Sequence, residues 1–136
     1  MYDVLRTKYL VRPIPTDSEL EILKVLWRRG ASTVREVFES LNGVTGYTTV
    51  LKTMQIMFLK QLVTRDDSAR SHIYCAAVQA EATEGRLVSE LMNRAFEGSA
   101  SRLAMRALSN EKVSVAELDE MRGLIEKLKL KAGQKP

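Results

Sequence analysis

Thr49, Lys52, Thr53 and Ile56 recur at i, i+3, i+4 and i+7 within the stretch YTTVLKTMQIMFLKQ, Tyr47 to Gln61, so a helix would gather them on one side. A short, hydroxyl-bearing, singly basic stripe suits a helix laid against double-stranded DNA. Lys52 can donate to guanine O6 and N7 or to a phosphate, and threonine offers a methyl for thymine and a hydroxyl for base or backbone. Val50, Leu51, Met54, Met57 and Phe58 fall on the opposite side as an inward apolar stripe. An ordinary surface helix shows the same spacing, and what flanks it decides between the two.

Other chemistries find little to build on. The chain has one histidine and one cysteine, with no nucleophile and base in arrangement, no glycine-rich phosphate loop and no clustered carboxylates, so no catalytic residue, cofactor or enzyme activity is expected. His72 and Cys75 lie three apart near a strand, where such residues point to opposite faces, and a metal needs three or four convergent ligands. No metal site is expected. Cys75 also excludes an internal disulfide. With 136 residues, 45% of them hydrophobic, one or two small domains can pack a core. No apolar run approaches a bilayer span and the start lacks a secretory pattern, so a cytoplasmic protein without a membrane partner is expected. The net charge of +4 and pI near 9.3 favour polyanions. The excess sits in residues 1–78, with 11 basic against 8 acidic side chains, compared with 10 against 9 afterwards.

The elements that must hold the stripe can be taken in order. Residues 1–12 read as an N-terminal extension ending at Arg12-Pro13-Ile14-Pro15. Thr16 and Glu19 form a capping box ahead of Leu20, Ile22, Leu23, Leu26 and Trp27, with Gly30 as the stop. Thr33 and Glu36 form a second box before Val34, Val37, Phe38 and Leu41, closed by Asn42 and Gly43. Thr48 is then the expected cap of the stripe-bearing helix, its amides facing a phosphate. Beyond Gln61 the period falls towards two, predicting strands at Leu62–Arg65 and Ser71–Cys75 around a polar tip. Arg65 and Arg70 flank that hairpin and could reach the phosphate backbone. Three helices and a hairpin make a winged helix-turn-helix, mainly α with a small β-hairpin, over residues 13–78.

From Gln79 onwards the residues are helix formers. Leu87, Val88, Leu91 and Ala95 give one stripe, then Ala100, Leu103, Ala104, Ala107 and Leu108 another. Ser114 and Glu117 make a third capping box before Leu118, Met121, Ile125 and Leu128, spaced three and four apart as in a helix–helix seam. Some 50 residues of short helices make a marginal core alone. A helical dimerisation domain over residues 79–130 is therefore expected, with Leu103, Leu108, Leu118, Met121, Ile125 and Leu128 in the seam, then a flexible tail at 131–136.

The runs PTDSELEILKVLW, STVREV, GYTTVLKTMQIM and RSHIY, followed by GSASRLAMRAL, resemble the penicillinase-repressor family of the BlaI and MecI type, over roughly residues 13 to 129. The resemblance implies a homodimeric repressor on an inverted-repeat DNA operator, controlling β-lactamase or related resistance genes, with Thr48, Thr49, Lys52 and Thr53 on the recognition helix. It also implies a sensor-triggered protease as partner. Three departures stand out. Lys60-Gln61 replaces the Lys-Gly that commonly ends the recognition helix, and Leu59 replaces a position that is often polar. The family's Asn-Phe cleavage pair aligns with Arg106-Ala107, which is the candidate proteolytic switch in this chain. The tail LKLKAGQKP carries none of the cysteines of the copper-responsive branch. The competing reading is a winged-helix module that binds protein without sequence-specific DNA binding, which predicts little salt dependence and indifference to Lys52→Ala.

Overall fold

Reciprocal caps start the first two helices. Glu19 N–H donates to Thr16 Oγ1 at 3.3 Å while Thr16 N–H donates to Glu19 Oε1 at 2.9 Å; Thr33 and Glu36 repeat the pattern at 3.1 and 2.9 Å. Each box satisfies amides that a helix start otherwise leaves unpaired. The computed structural model describes residues 12–133. In it α1 spans Asp17–Arg29, α2 Val34–Ser40, α3 Tyr47–Leu59, β1 Val63–Asp66, β2 Ile73–Ala76, α4 Ala80–Ala95, α5 Ala100–Asn110 and α6 Val115–Gly133. Gly30 ends α1 at a φ of 85°, open to glycine without strain, and its N–H reaches Leu26 O.

The apolar faces of the first three helices close on one another. Ile22, Leu23, Val25 and Leu26 of α1 meet Val34 and Val37 of α2 and Val50, Met54 and Met57 of α3, with Leu62, Val63 and Tyr74 completing the core. Burying each large side chain contributes roughly 1.5–3 kcal/mol. Glu19 is 2% exposed and its second oxygen accepts from Lys60 Nζ at 2.8 Å. One carboxylate thus caps α1 and ties its start to the end of α3.

The strands sit slightly later than the alternation predicts. Leu62 N–H donates to Met57 O and Gln61 N–H to Phe58 O, with Gln61 at a φ of 65°. This Schellman closure absorbs Leu62 into the helix end, so pairing starts at Val63. Val63 then opposes Ala76 and Arg65 opposes Tyr74 in an antiparallel hairpin. Tyr74 also exchanges both backbone bonds with Ser32, at 2.8 and 2.9 Å, an added edge that the sequence pattern does not reveal. Helices, hairpin and this bridge form a winged helix-turn-helix, followed by a helical part.

The chain divides into two units, Met1–Ser89 and Glu90–Pro136, with the division inside α4, whereas the composition shift suggests residue 79. In the second unit, Ser99 Oγ accepts from Arg102 N–H to cap α5, and Ser114 with Glu117 caps α6 reciprocally. No residue of α5 or α6 is buried in the single chain. The helix formers Lys129 to Ala132 carry α6 through Gly133, in place of a tail starting at 131. Residues 1–11 of the expected extension and 134–136 of the expected tail lie outside the described residues.

Candidate nucleic-acid interface

Gly46, rather than Thr48, is the N-cap of α3. Val50 N–H donates to Gly46 O at 3.1 Å, which starts the helix at Tyr47 and makes Thr48 its second residue. No side chain caps this terminus. The amides of its first turn therefore point out with the positive end of the helix dipole, an arrangement that takes a phosphate.

The polar side of α3 faces solvent. Thr48, Thr49, Lys52, Gln55 and Ile56 are exposed, and Thr53 is half-buried. Thr53 Oγ1 donates to Thr49 O at 2.8 Å, so its hydroxyl proton is engaged within the helix. Lys52 has no ion pair among the described residues. Ile56 is 47% exposed, an apolar side chain at the far end of the stripe.

Beside this face, a cleft of about 330 Å³ opens between α2, α3 and the hairpin, lined by Arg35, Tyr47, Gln55, Arg70, Ser71 and His72 among others. No carboxylate is among its described lining residues. The Arg35 guanidinium lies 4.6 Å over the Tyr47 ring, and Tyr47 packs edge-on against Phe38 at 5.6 Å. Stacking of this kind holds a cation in place while leaving its N–H groups available. Arg35, Tyr47 and Gln55 are absent from the candidates drawn from the sequence. Gln55 lies three residues after Lys52, a spacing that places the two together; Arg35 meets Tyr47 only once α2 and α3 have folded together.

The two hairpin arginines part ways. Arg70 is exposed at the cleft. Arg65 is not brought to the open face: Nε donates to Asp67 Oδ1 at 2.7 Å and its guanidinium stacks 4.2 Å over Phe58. The Asp67 carboxylate holds the Arg65 proton more firmly than usual. Asp66 accepts from Ser68, whose hydroxyl and backbone N–H keep its carboxyl below the ordinary range. His72 Nδ1 lies 3.5 Å from Asp67 Oδ1. The acidic pair at the tip is thus engaged by its own neighbours.

In the second unit, Leu108, Leu118, Ile125 and Leu128 are exposed in the single chain, and Leu103 and Met121 are half-buried. Met105, Leu124 and Leu130 are exposed as well. Arg106 and Ala107 are exposed in the middle of α5, with Ala107 O accepting from Glu111 N–H. No group of three or more metal-ligating side chains occurs among the described residues, and no described helix is long and apolar enough to cross a membrane.

The penicillinase repressor family profile matches residues 15–127. A penicillinase repressor of Bacillus licheniformis is 23% identical over 121 residues, spanning 86% of this chain and 93% of that protein. A solved structure, described as the regulation of DNA binding of Bordetella bronchiseptica BpsR by 6-hydroxynicotinic acid, aligns at 16% identity with a TM-score of 0.43, covering 93% of this chain and 84% of that one. At that score the two share too little to bear on function.

Proposed function

The chain belongs to the penicillinase repressor family, a family of transcriptional regulators and not of enzymes, and from that premise we propose that this transcriptional repressor works as a cytoplasmic homodimer on an inverted-repeat operator, each protomer laying α3 in the major groove. The open face of α3 carries the reading: Thr49 and Lys52 exposed, Lys52 without an ion pair among the described residues, beside an uncapped helix start and a cleft without described carboxylates. Lys52 and Thr49 read base edges, while Arg35, Arg70 and the first-turn amides of α3 fix the register on phosphates. Arg65 serves the hairpin itself. The exposed apolar side chains of α5 and α6 support pairing of two chains, since a lone protein rarely leaves such a patch in water. Two-fold symmetry of the pair matches two half-sites spaced by about one or two helical turns.

Family membership favours β-lactamase or related resistance genes as the targets. A sensor-triggered protease acting at Arg106-Ala107 would meet a helical bond, so α5 has to open locally before cleavage.

The test is binding to the operator across a range of salt concentrations. Affinity falls steeply with salt, by a log–log slope of about −0.9 per phosphate contact. Thr49→Ala and Lys52→Ala each weaken specific binding by about 1–3 kcal/mol per lost base contact. Unchanged specific affinity in both variants, with little salt dependence, sinks the reading in favour of a protein-binding winged helix.

A further inference from the structure

His72 is the chain's one histidine, and the DNA contacts assigned to Thr49, Lys52, Arg35 and Arg70 leave it without a role. It stands immediately ahead of β2, whose first pair is Ile73 with Asp66. Alternate residues of an extended segment share a face. His72 therefore falls on the side of Tyr74, and both line the cleft between α2, α3 and the hairpin. Tyr74 is buried in the core, whereas the His72 side chain is 47% exposed. From its own hairpin, Asp67 brings Oδ1 to 3.5 Å from His72 Nδ1, but that oxygen already accepts from Arg65 Nε at 2.7 Å. Arg70 lies at the same cleft, α2 contributes Arg35, and Tyr47 of α3 and Tyr74 contribute neutral phenols. Neither Arg35 nor Arg70 forms an ion pair among the described residues. In the free protein, a proton on His72 thus adds a third cation to a cleft that holds two unpaired guanidiniums, against one carboxylate already engaged by Arg65. A phosphate in the cleft reverses that balance, because an opposite charge within about 4–6 Å favours the charged form.

We propose that His72 is a proton-linked phosphate contact: binding of the operator charges its imidazole, with Asp67 accepting from one ring nitrogen and a DNA phosphate from the other. The proposal rests on the DNA-binding reading of this face and adds to it a contact that exists only in the protonated protein. Asp67 turns the ring, and the exposed side of the ring is left for the ligand. Lys52, Arg35 and Arg70 keep their charge at every pH near neutrality, whereas an imidazole ordinarily changes charge between about pH 5 and 8. Each protomer therefore takes up as much as one proton when it binds. By linkage, a complex that binds more protons than its free parts tightens as pH falls.

The test titrates the full-length protein, His72→Gln and His72→Arg onto a duplex recovered by selection of genomic fragments, and onto an unrelated duplex of equal length. Ionic strength is fixed while pH runs from about 8.5 to about 5.5, a range in which ordinary carboxylates stay ionised. Cys75 and the chain's amino terminus titrate at its upper end, and His72→Gln retains both, so the difference between the two profiles belongs to His72. The expected result for the unmodified protein is an affinity per half-site that rises about tenfold towards acid, the worth of one unit of pKa difference. Its log–log salt slope should steepen by about 0.9 per half-site over the same range. His72→Gln should give a flat profile at the alkaline affinity of the unmodified protein, and His72→Arg a flat profile near its acid affinity. A pH profile in His72→Gln that matches the unmodified protein overturns the assignment. So does a loss in His72→Gln that is equal at every pH, which marks a structural role. Specific binding by the unmodified protein with a flat profile overturns the assignment and leaves the DNA-binding reading standing. If the unmodified protein prefers the selected duplex over the unrelated one at no pH, that reading fails first and takes the assignment with it.

Discussion

The two arginines of the hairpin, Arg65 and Arg70, end in opposite circumstances, and their substitution separates DNA contact from folding. Arg70 is exposed at the cleft, and Arg35 is held there on Tyr47. Arg70→Ala and Arg35→Ala should each flatten the log–log salt dependence of operator binding by about one phosphate contact, with little change in thermal midpoint for Arg70→Ala and a lower one for Arg35→Ala, which also removes the stack on Tyr47. Arg65→Ala should do the reverse, leaving the slope and lowering the midpoint, because it removes the Asp67 pairing and the stack on Phe58. A shallower slope for Arg65→Ala at unchanged stability contradicts this division. Lys52 and Thr49 were legible in the sequence because one helical period decides which side they share. The fate of Arg65 was not: Asp67 and Phe58 reach it only through the hairpin and the end of α3. Glu19 shows the same limit, its cap readable from a spacing of three and its pairing with Lys60, 41 residues on, hidden.

Two of the capping boxes respond to pH. Glu36 and Glu117 each accept the backbone N–H of their cap residue, Thr33 and Ser114, and this lowers both carboxyls below their ordinary value. With a folded value below the unfolded one, the stabilisation is complete above the ordinary carboxylate range and is lost as pH falls through the lowered values. Side-chain carboxyl titration by NMR should give midpoints for Glu36 and Glu117 below that of an unstructured glutamate, and midpoints at or above it contradict the caps. The end of α3 offers a stability test. Gln61 holds a φ of 65°, where a side chain is strained and glycine is not. Gln61→Gly should raise stability by about 0.5–1 kcal/mol, read as a higher midpoint in urea. No change would mean the Schellman closure absorbs the side chain without cost. All three capping boxes were visible in the sequence because they are local and reciprocal. The start of α3 was misplaced because Thr48 has the chemistry of a cap, while the decisive bond runs between backbone atoms of Gly46 and Val50. The Ser32 bridge to Tyr74 carries no periodic signature, since one residue has no period.

At the scale of the whole molecule, α5 and α6 bury none of their own residues, and Leu118, Leu124, Ile125 and Leu128 face water in the single chain. Ile125→Glu should therefore shift sedimentation from dimer to monomer and weaken operator binding more than half-site binding, because a charge in an apolar seam is left unpaired. A dimer that survives Ile125→Glu places self-association elsewhere. The three-and-four spacing of apolar residues was readable, but the exposure of Met105, Leu124 and Leu130, which lie outside that pattern, was not. The central claim, that this chain represses by gripping one inverted repeat as a pair, is tested most directly by selecting genomic fragments on the purified protein at near-physiological salt and sequencing the survivors. The account predicts recovery of an inverted repeat with half-sites about one or two helical turns apart. Recovery of nothing above random sequence would contradict it and turn the open face of α3 into a surface for another protein.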